Sequence, residues 1–180
     1  MALEQAVTGW RWALSPAREE DWDALYVEHL PRVYNFLRYR VGDETVAEDL
    51  TSIVFQKAWL ARRRYRRDLA GFGTWLFTIA RNVAVDHFRG RRVHAPLEEA
   101  AELAGGATPE QISEQRSEFE RLTRLLAALP DRERELVSLK YGAGLNNRAI
   151  ARLSGLSESN VGTILHRVVV QLRAAWTEGM

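Results

Sequence analysis

Apolar residues at Trp22, Leu25, Tyr26, Leu30, Val33 and Leu37 recur at intervals of three and four, the period of a helix with one buried face. Ser15 and Pro16, followed by Glu19, Glu20 and Asp21, resemble the capped, acid-rich start of such a helix. Pro31 lies inside the pattern and predicts a kink or a restart, because proline lacks a backbone donor and clashes with the preceding turn. Beyond Gly42 and Asp43 a second helical pattern uses Val46, Leu50, Ile53 or Val54, Ala58 and Ala61. A third runs from about Phe72 to Phe88 through Trp75, Leu76, Ile79, Ala80 and Val83. The stretch between them, Arg62 to Gly71, is too charged to bury and predicts a solvated loop.

From Arg89 to Ala107 the helical period is lost, and Pro96, Gly105 and Gly106 mark a linker. Thr108-Pro109-Glu110-Gln111 then combines an N-cap threonine, a proline at the first helical position and a glutamine at the third, a capping box. Ile112, Phe119, Leu122, Leu126 and Leu129 form one apolar stripe. Pro130 and Asp131 restart a short helix that closes at Tyr141-Gly142, and two further helices follow. No useful length of sequence alternates as a strand does. The expected fold is all-α: two small helical domains joined by a flexible linker, the second with a helix-turn-helix. The expected boundaries are an N-terminal extension over 1–20, a first domain over 21–92, an acidic linker over 93–112 and a second domain over 113–180.

Composition narrows the chemistry. The 180 residues are 46% hydrophobic and 27% charged, within the globular range. Cysteine is absent, which excludes disulfides, thiol nucleophiles and thiolate zinc sites and suits a reducing compartment. No apolar run approaches the roughly 18 residues of a membrane span, and the start lacks the pattern of a signal peptide, so a soluble cytoplasmic protein without membrane insertion is expected. The net charge of +1 hides an uneven distribution. Of the 25 basic residues only Lys57 and Lys140 are lysine, and nine arginines between Arg62 and Arg92 face just Asp68 and Asp86. Val93 to Ile112 carries four glutamates, Glu98, Glu99, Glu102 and Glu110, and no lysine or arginine. Arginine offers a planar fork suited to phosphate and guanine edges, so the basic block points to a polyanion.

Ala149 to Val161 has helix-turn-helix spacing: Gly155 closes one helix, Leu156 fills the corner and Ser157 caps the next. A plain antiparallel helix pair is the other reading of that spacing. Small or polar residues at Ser159, Asn160, Gly162 and Thr163, with Arg167 beyond, favour a helix that enters a DNA groove. Around Trp75, the residues Phe72, Phe77, Arg81 and Asn82 and the preceding arginine loop suit an unpaired strand, whose bases stack and whose phosphates need neutralising. Trp75 fits a core stripe equally well. Arg81 and Arg92, eleven positions apart, fall within about 20° on a helix and predict one exposed basic edge. No catalytic constellation is present. His29, His87, His94 and His166 lie in no metal-binding spacing, and Asp86-His87 reads as two solvated side chains. Gly71-Phe72-Gly73 and Gly142-Ala143-Gly144 lack the lysine of a P-loop and the third glycine of a dinucleotide loop. No cofactor, metal or small-molecule substrate is expected.

Two separate stretches resemble one family, the sigma-70 transcription initiation factors of bacteria, in their small extracytoplasmic function group. Ala47-Glu48-Asp49-Leu50, Phe55, Ala58-Trp59, Trp75 to Asn82 and Asp86-His87-Phe88-Arg89 are similar to its region two. Leu129 to Glu133, Ile150-Ala151 through Ser157, Val161 and Leu165-His166-Arg167 are similar to its region four. The resemblance implies a non-enzymatic subunit that docks on core RNA polymerase and directs it to promoter DNA, both duplex and single-stranded, with an anti-sigma factor as a further partner. It implies polymerase contacts at Glu48, Asp49, Ser52 and Gln56. For the minus-ten element it implies Arg63, Arg64, Arg66, Phe72, Trp75, Thr78, Arg81, Asn82 and Arg89. For the minus-thirty-five element it implies Ser159, Asn160, Gly162, Thr163, His166 and Arg167. The chain departs from the family's usual glutamate at Ile53 and Ala149, and from its usual basic residues at Gly162 and Ile164. A stand-alone helix-turn-helix regulator is the competing reading, and it needs no polymerase. A nucleic-acid-processing enzyme is a third, opposed by the missing acid, base or metal constellation.

Overall fold

The computed structural model describes residues 22–94 and 110–178. Helices α1 (Trp22–Val41), α2 (Glu44–Ala61) and α3 (Phe72–His94) form the first domain, with a 3₁₀ turn at Arg62–Arg64. The second comprises α4 (Glu110–Ala127), α5 (Asp131–Val137), a π turn at Ser138–Gly142, α6 (Asn147–Ser154) and α7 (Glu158–Glu178). No strand occurs among the described residues. The expected N-terminal extension, the Thr108 capping box and most of the acidic segment lie outside them.

Polar side chains fix the helix starts. Asp43 caps α2 by accepting a hydrogen bond from the Val46 amide at 2.7 Å, directly after Gly42 turns the chain at φ 79°. Asn146 caps α6 through the Ala149 amide at 2.9 Å. Gly155, at φ 73°, ends α6 in the left-handed conformation, and the Ser157 hydroxyl accepts from the Asn160 amide at 3.2 Å to start α7.

Pro31 does not restart the first helix: α1 runs unbroken from Trp22 to Val41. Proline inside a helix costs about 3 kcal/mol. His29 on one side of it and Val33, Phe36 and Leu37 on the other are buried on the inner face, and each large apolar side chain contributes roughly 1.5–3 kcal/mol, which offsets that cost. Helix α3 also continues to His94, past Arg89, where the apolar period ends.

The two domains pack on each other. Leu126, Leu136, Leu139 and Ile150 of the second join Phe36 and Phe77 of the first in one continuous core. The π turn lies along α1, where a Cβ added at Gly142 would sit 2.8 Å from the Asn35 carbonyl oxygen and 3.0 Å from Phe36 Cα. Arg32 Nε donates to the Ala143 carbonyl at 2.9 Å. Arg40, 1% exposed, reaches the Asp131 carboxylate at 3.0 Å while its guanidinium lies 5.0 Å from the Phe88 ring centre.

Candidate nucleic-acid interface

On α2, Ala47, Leu50, Thr51, Val54 and Ala58 face inward, which leaves Glu48, Asp49, Ser52 and Gln56 on the exposed side. These four share one helix face. Glu48 and Ser52 also edge a shallow groove between α1 and α2, lined by Leu30, Pro31, Tyr34 and Thr51. Burial, and then the nearby Glu44, push the Tyr34 hydroxyl above its ordinary pKa, so it stays protonated there. The groove is therefore an apolar floor with an acidic rim. Ile53 is exposed beside it, and Ala149 is half-buried in α6.

The arginine stretch is not a uniform loop, since its first three residues extend α2 as the 3₁₀ turn. The Arg62 guanidinium stacks 3.9 Å from the Trp59 ring centre, a cation–π contact, and donates to the Trp59 carbonyl at 2.8 Å. Arg63 and Arg64 are exposed. Arg66 forms a two-pronged pair with Asp68, at 3.0 and 2.8 Å, which raises the arginine pKa and lowers that of the carboxyl. Behind the turn lies an aromatic cluster. Phe72 is met edge-on by Trp22 at 5.4 Å and by Tyr65 at 5.6 Å, with Trp75 tilted against it at 5.4 Å. Phe72 is 8% exposed, so it braces the cluster and offers little surface to a base. Phe77 is fully buried.

Trp75, Thr78, Asn82 and Arg89 follow one another along one side of α3; Trp75 is half-buried and the other three are exposed. Arg81 is not among them and so does not join the expected exposed edge with Arg92, whose side chain lies outside the described residues. Arg81 turns toward the second domain, pairs with Glu135 at 2.7 Å and 3.2 Å, and donates to the Leu153 carbonyl. Glycine turns and helix spacing alone gave no sign of that partner, which lies 54 positions away along the chain. Asp86 faces Lys57 at 3.7 Å, and His87 is half-buried against Phe88, so only the aspartate matches the expected solvated pair.

In α7, Val161, Leu165 and Val168 are buried, which turns Ser159, Asn160, Thr163, His166 and Arg167 outward. Gly162 is half-buried beside Asn147, where a Cβ would meet that amide at 3.5 Å. Arg167 pairs with Glu133 of α5, so this arginine is braced rather than loose. Among the described residues no group of His, Asp or Glu could hold a metal ion, and no helix is long and apolar enough to cross a membrane.

His29 stacks on Phe72 at 5.3 Å and 28°, beneath the aromatic cluster. Burial lowers its pKa from the usual 6.5, Glu28 opposes that shift, and Arg32 adds to it. The folded state therefore favours the neutral imidazole, and the unfolded chain takes up the extra proton below pH 6.5. Stability should fall as pH drops through that range. In a His29→Gln variant the acid-side slope of urea-melt stability should flatten; an unchanged slope would assign the loss to other groups.

Comparison with known proteins gives a consistent result. The family model for Sigma-70 region 2 matches residues 25–93, and that for Sigma-70 region 4 matches residues 119–172. The chain is 34% identical over 152 residues to the extracytoplasmic function (ECF) RNA polymerase sigma factor BldN of Streptomyces coelicolor, covering 81% of this chain and 56% of that one. It is 30% identical to the ECF sigma factor RpoE of Cereibacter sphaeroides, covering 82% of this chain and 80% of the relative. The fold is similar to CnrH, solved in complex with the cytosolic domain of CnrY, with a TM-score of 0.69 and 23% identity over 91% of this chain and 92% of that one. It is also similar to RpoE of Bartonella quintana, solved with the anti-sigma factor NepR, with a TM-score of 0.67 and 21% identity over 88% and 98% of the two chains.

Proposed function

The chain belongs to the sigma-70 family, in its ECF group, as a sigma factor that directs RNA polymerase to promoters, and from that premise we propose how its surfaces divide the work. Glu48, Asp49, Ser52 and Gln56 dock on core polymerase. Arg63, Arg64 and Arg66, with Trp75, Thr78, Asn82 and Arg89, hold the unpaired minus-ten strand. Phe72 positions the aromatic cluster behind them. Ser159, Asn160, Gly162, Thr163, His166 and Arg167 read the minus-thirty-five duplex. The working units are the expected domains, 21–92 and 113–180, joined by the acidic segment 93–112.

The observation that carries this reading is the separation of three polar faces, on α2, α3 and α7, each backed by its own buried stripe. A stand-alone regulator gives no role to the face on α2. Binding and positioning, with no bond made or broken by the chain itself, account for all three faces. The setting is the cytoplasm, where polymerase and promoters meet. An anti-sigma factor is a further proposed partner, because CnrH and the Bartonella quintana RpoE were solved with CnrY and NepR.

Run-off transcription with core polymerase tests the whole reading, and Asp49→Arg tests the docking face. Asp49 is exposed on a helix whose core residues lie elsewhere, so the variant should keep its helical circular dichroism. Its affinity for core polymerase should drop at least tenfold, since a like charge directly opposed to a basic partner costs several kcal/mol. Unchanged affinity would remove Asp49 from the docking face.

A further inference from the structure

We propose that Asn147, on α6, is a specificity-determining residue for the minus-thirty-five element, and that its side-chain amide makes the base contact that Gly162 of α7 cannot make. The inference rests on the reading of α7 as the helix that enters the major groove. Ser159 and His166 stand three positions before and four after Gly162, so the three share one side of α7, and Ser159 and His166 are exposed there. Gly162 alone brings no side chain to that side. A Cβ added to it would lie 3.5 Å from Asn147 Nδ2, so the amide of α6 borders the space the glycine leaves open. One turn earlier, Glu158 faces Arg148 at 3.6 Å, which puts the first two residues of α6 along the same flank of the reading helix.

The amide is also held in one orientation. Lys140 Nζ donates to Asn147 Oδ1 at 2.9 Å, and an ammonium group can only donate, so the oxygen must face Lys140 and the NH₂ group must face Gly162. Among the described residues nothing accepts a hydrogen bond from Nδ2. The neighbouring readers on α7 are more committed: the Thr163 hydroxyl donates to the Ser159 carbonyl at 3.1 Å, and Arg167 is paired with Glu133. A fixed, unspent donor beside a bare stretch of helix suits an acceptor on a major-groove edge, such as guanine N7 or O6 or thymine O4. Readout at Gly162 is thereby transferred to the helix in front of it.

Holoenzyme assembled from core polymerase and the full chain should be run on a promoter library randomised across the minus-thirty-five element, and the transcribed templates sequenced. Asn147→Ala should weaken the preference at a single base pair by at least about fivefold and leave the other positions as they were, in line with the lower end of a side-chain contact to a base edge. Asn146 caps α6, so the start of that helix is kept. Asn147→Asp retains the shape and puts an acceptor where the free donor was, so the preferred base pair at that same position should change. Gly162→Arg should fill the gap with its own preference, and in that background Asn147→Ala should alter selection by less than about twofold. Unchanged preferences in Asn147→Ala would overturn the proposal. So would an equal loss on every sequence with a shallower salt dependence, which would make Asn147 a phosphate contact. The premise about α7 fails separately, if Ser159→Ala, His166→Ala and Arg167→Ala holoenzymes all keep the wild-type minus-thirty-five preferences.

Discussion

A holoenzyme carrying glutamine at positions 63, 64 and 66 is expected to form closed complexes normally and to open promoters poorly. Arg63 and Arg64 project into solvent from the 3₁₀ turn, and Arg66 is held in place by Asp68. On the proposed division of surfaces, closed-complex formation uses duplex contacts by α7, on the other domain, so losing these charges should leave it intact. Opening exposes single-stranded phosphates, and each neutralised phosphate contributes about 0.7 to the log–log dependence of binding on salt. Removing three contacts should lower that slope by about 2. Asn82→Ala, one turn beyond Thr78 on the same side of α3, should weaken opening by about fivefold or more, since a hydrogen-bonded base contact contributes on the order of 1–3 kcal/mol. Permanganate reactivity of promoter thymines across a salt series would measure both effects. Full reactivity in the triple variant would return the turn to plain solvated surface.

The sequence made the helices and their polar faces legible because each depends on neighbours a few residues apart. Ser157 at the corner with the small or polar Ser159, Asn160 and Thr163 after it already marked the exposed start of α7, and Gly42 and Asp43 marked the start of α2. Pro31 misled for a physical reason: local cost predicted a break, while burial on both sides of it decided the outcome. The burial of Phe72 under Trp22 and the pairing of Arg81 with Glu135 were not legible, because those two partners are distant in sequence. An aromatic residue in a basic stretch can stack on bases or on other aromatics, and only Trp22, Tyr65 and Trp75 around Phe72 decide between them. Gly142 is the clearest case. Screened as part of a phosphate loop, Gly142-Ala143-Gly144 carried no signal, whereas its use is to let two helical backbones approach.

Asp131→Asn should destabilise the chain by about 2–3 kcal/mol, whereas Arg40→Met should change stability by less than about 1 kcal/mol. The asymmetry follows from burial. The Arg40 side chain is 1% exposed and the Asp131 side chain 63%. Without the aspartate carboxylate the arginine stays buried with its charge uncompensated, and the Phe88 face and the Asp131 carbonyl oxygen, at 3.2 Å, are its remaining contacts. Breaking a fully buried pair costs about 3–5 kcal/mol; the smaller figure allows for the water that already screens Asp131. Arg134 adds to the strain, since burial, and then the nearby Arg40, hold its pKa below the usual arginine value. Methionine at position 40 keeps the apolar stem against Phe88 and removes the charge, leaving Asp131 to water and to the first turn of α5, where a carboxylate is favourable. The double variant should then cost no more than about 1 kcal/mol, because asparagine strands no charge once the arginine is gone. Urea melts of the four full-length chains at one pH and salt would measure the cycle. Equal losses in both single variants would mean that the guanidinium reaches water in solution and that α5 packs on α1 less tightly than the Arg40–Asp131 contact implies.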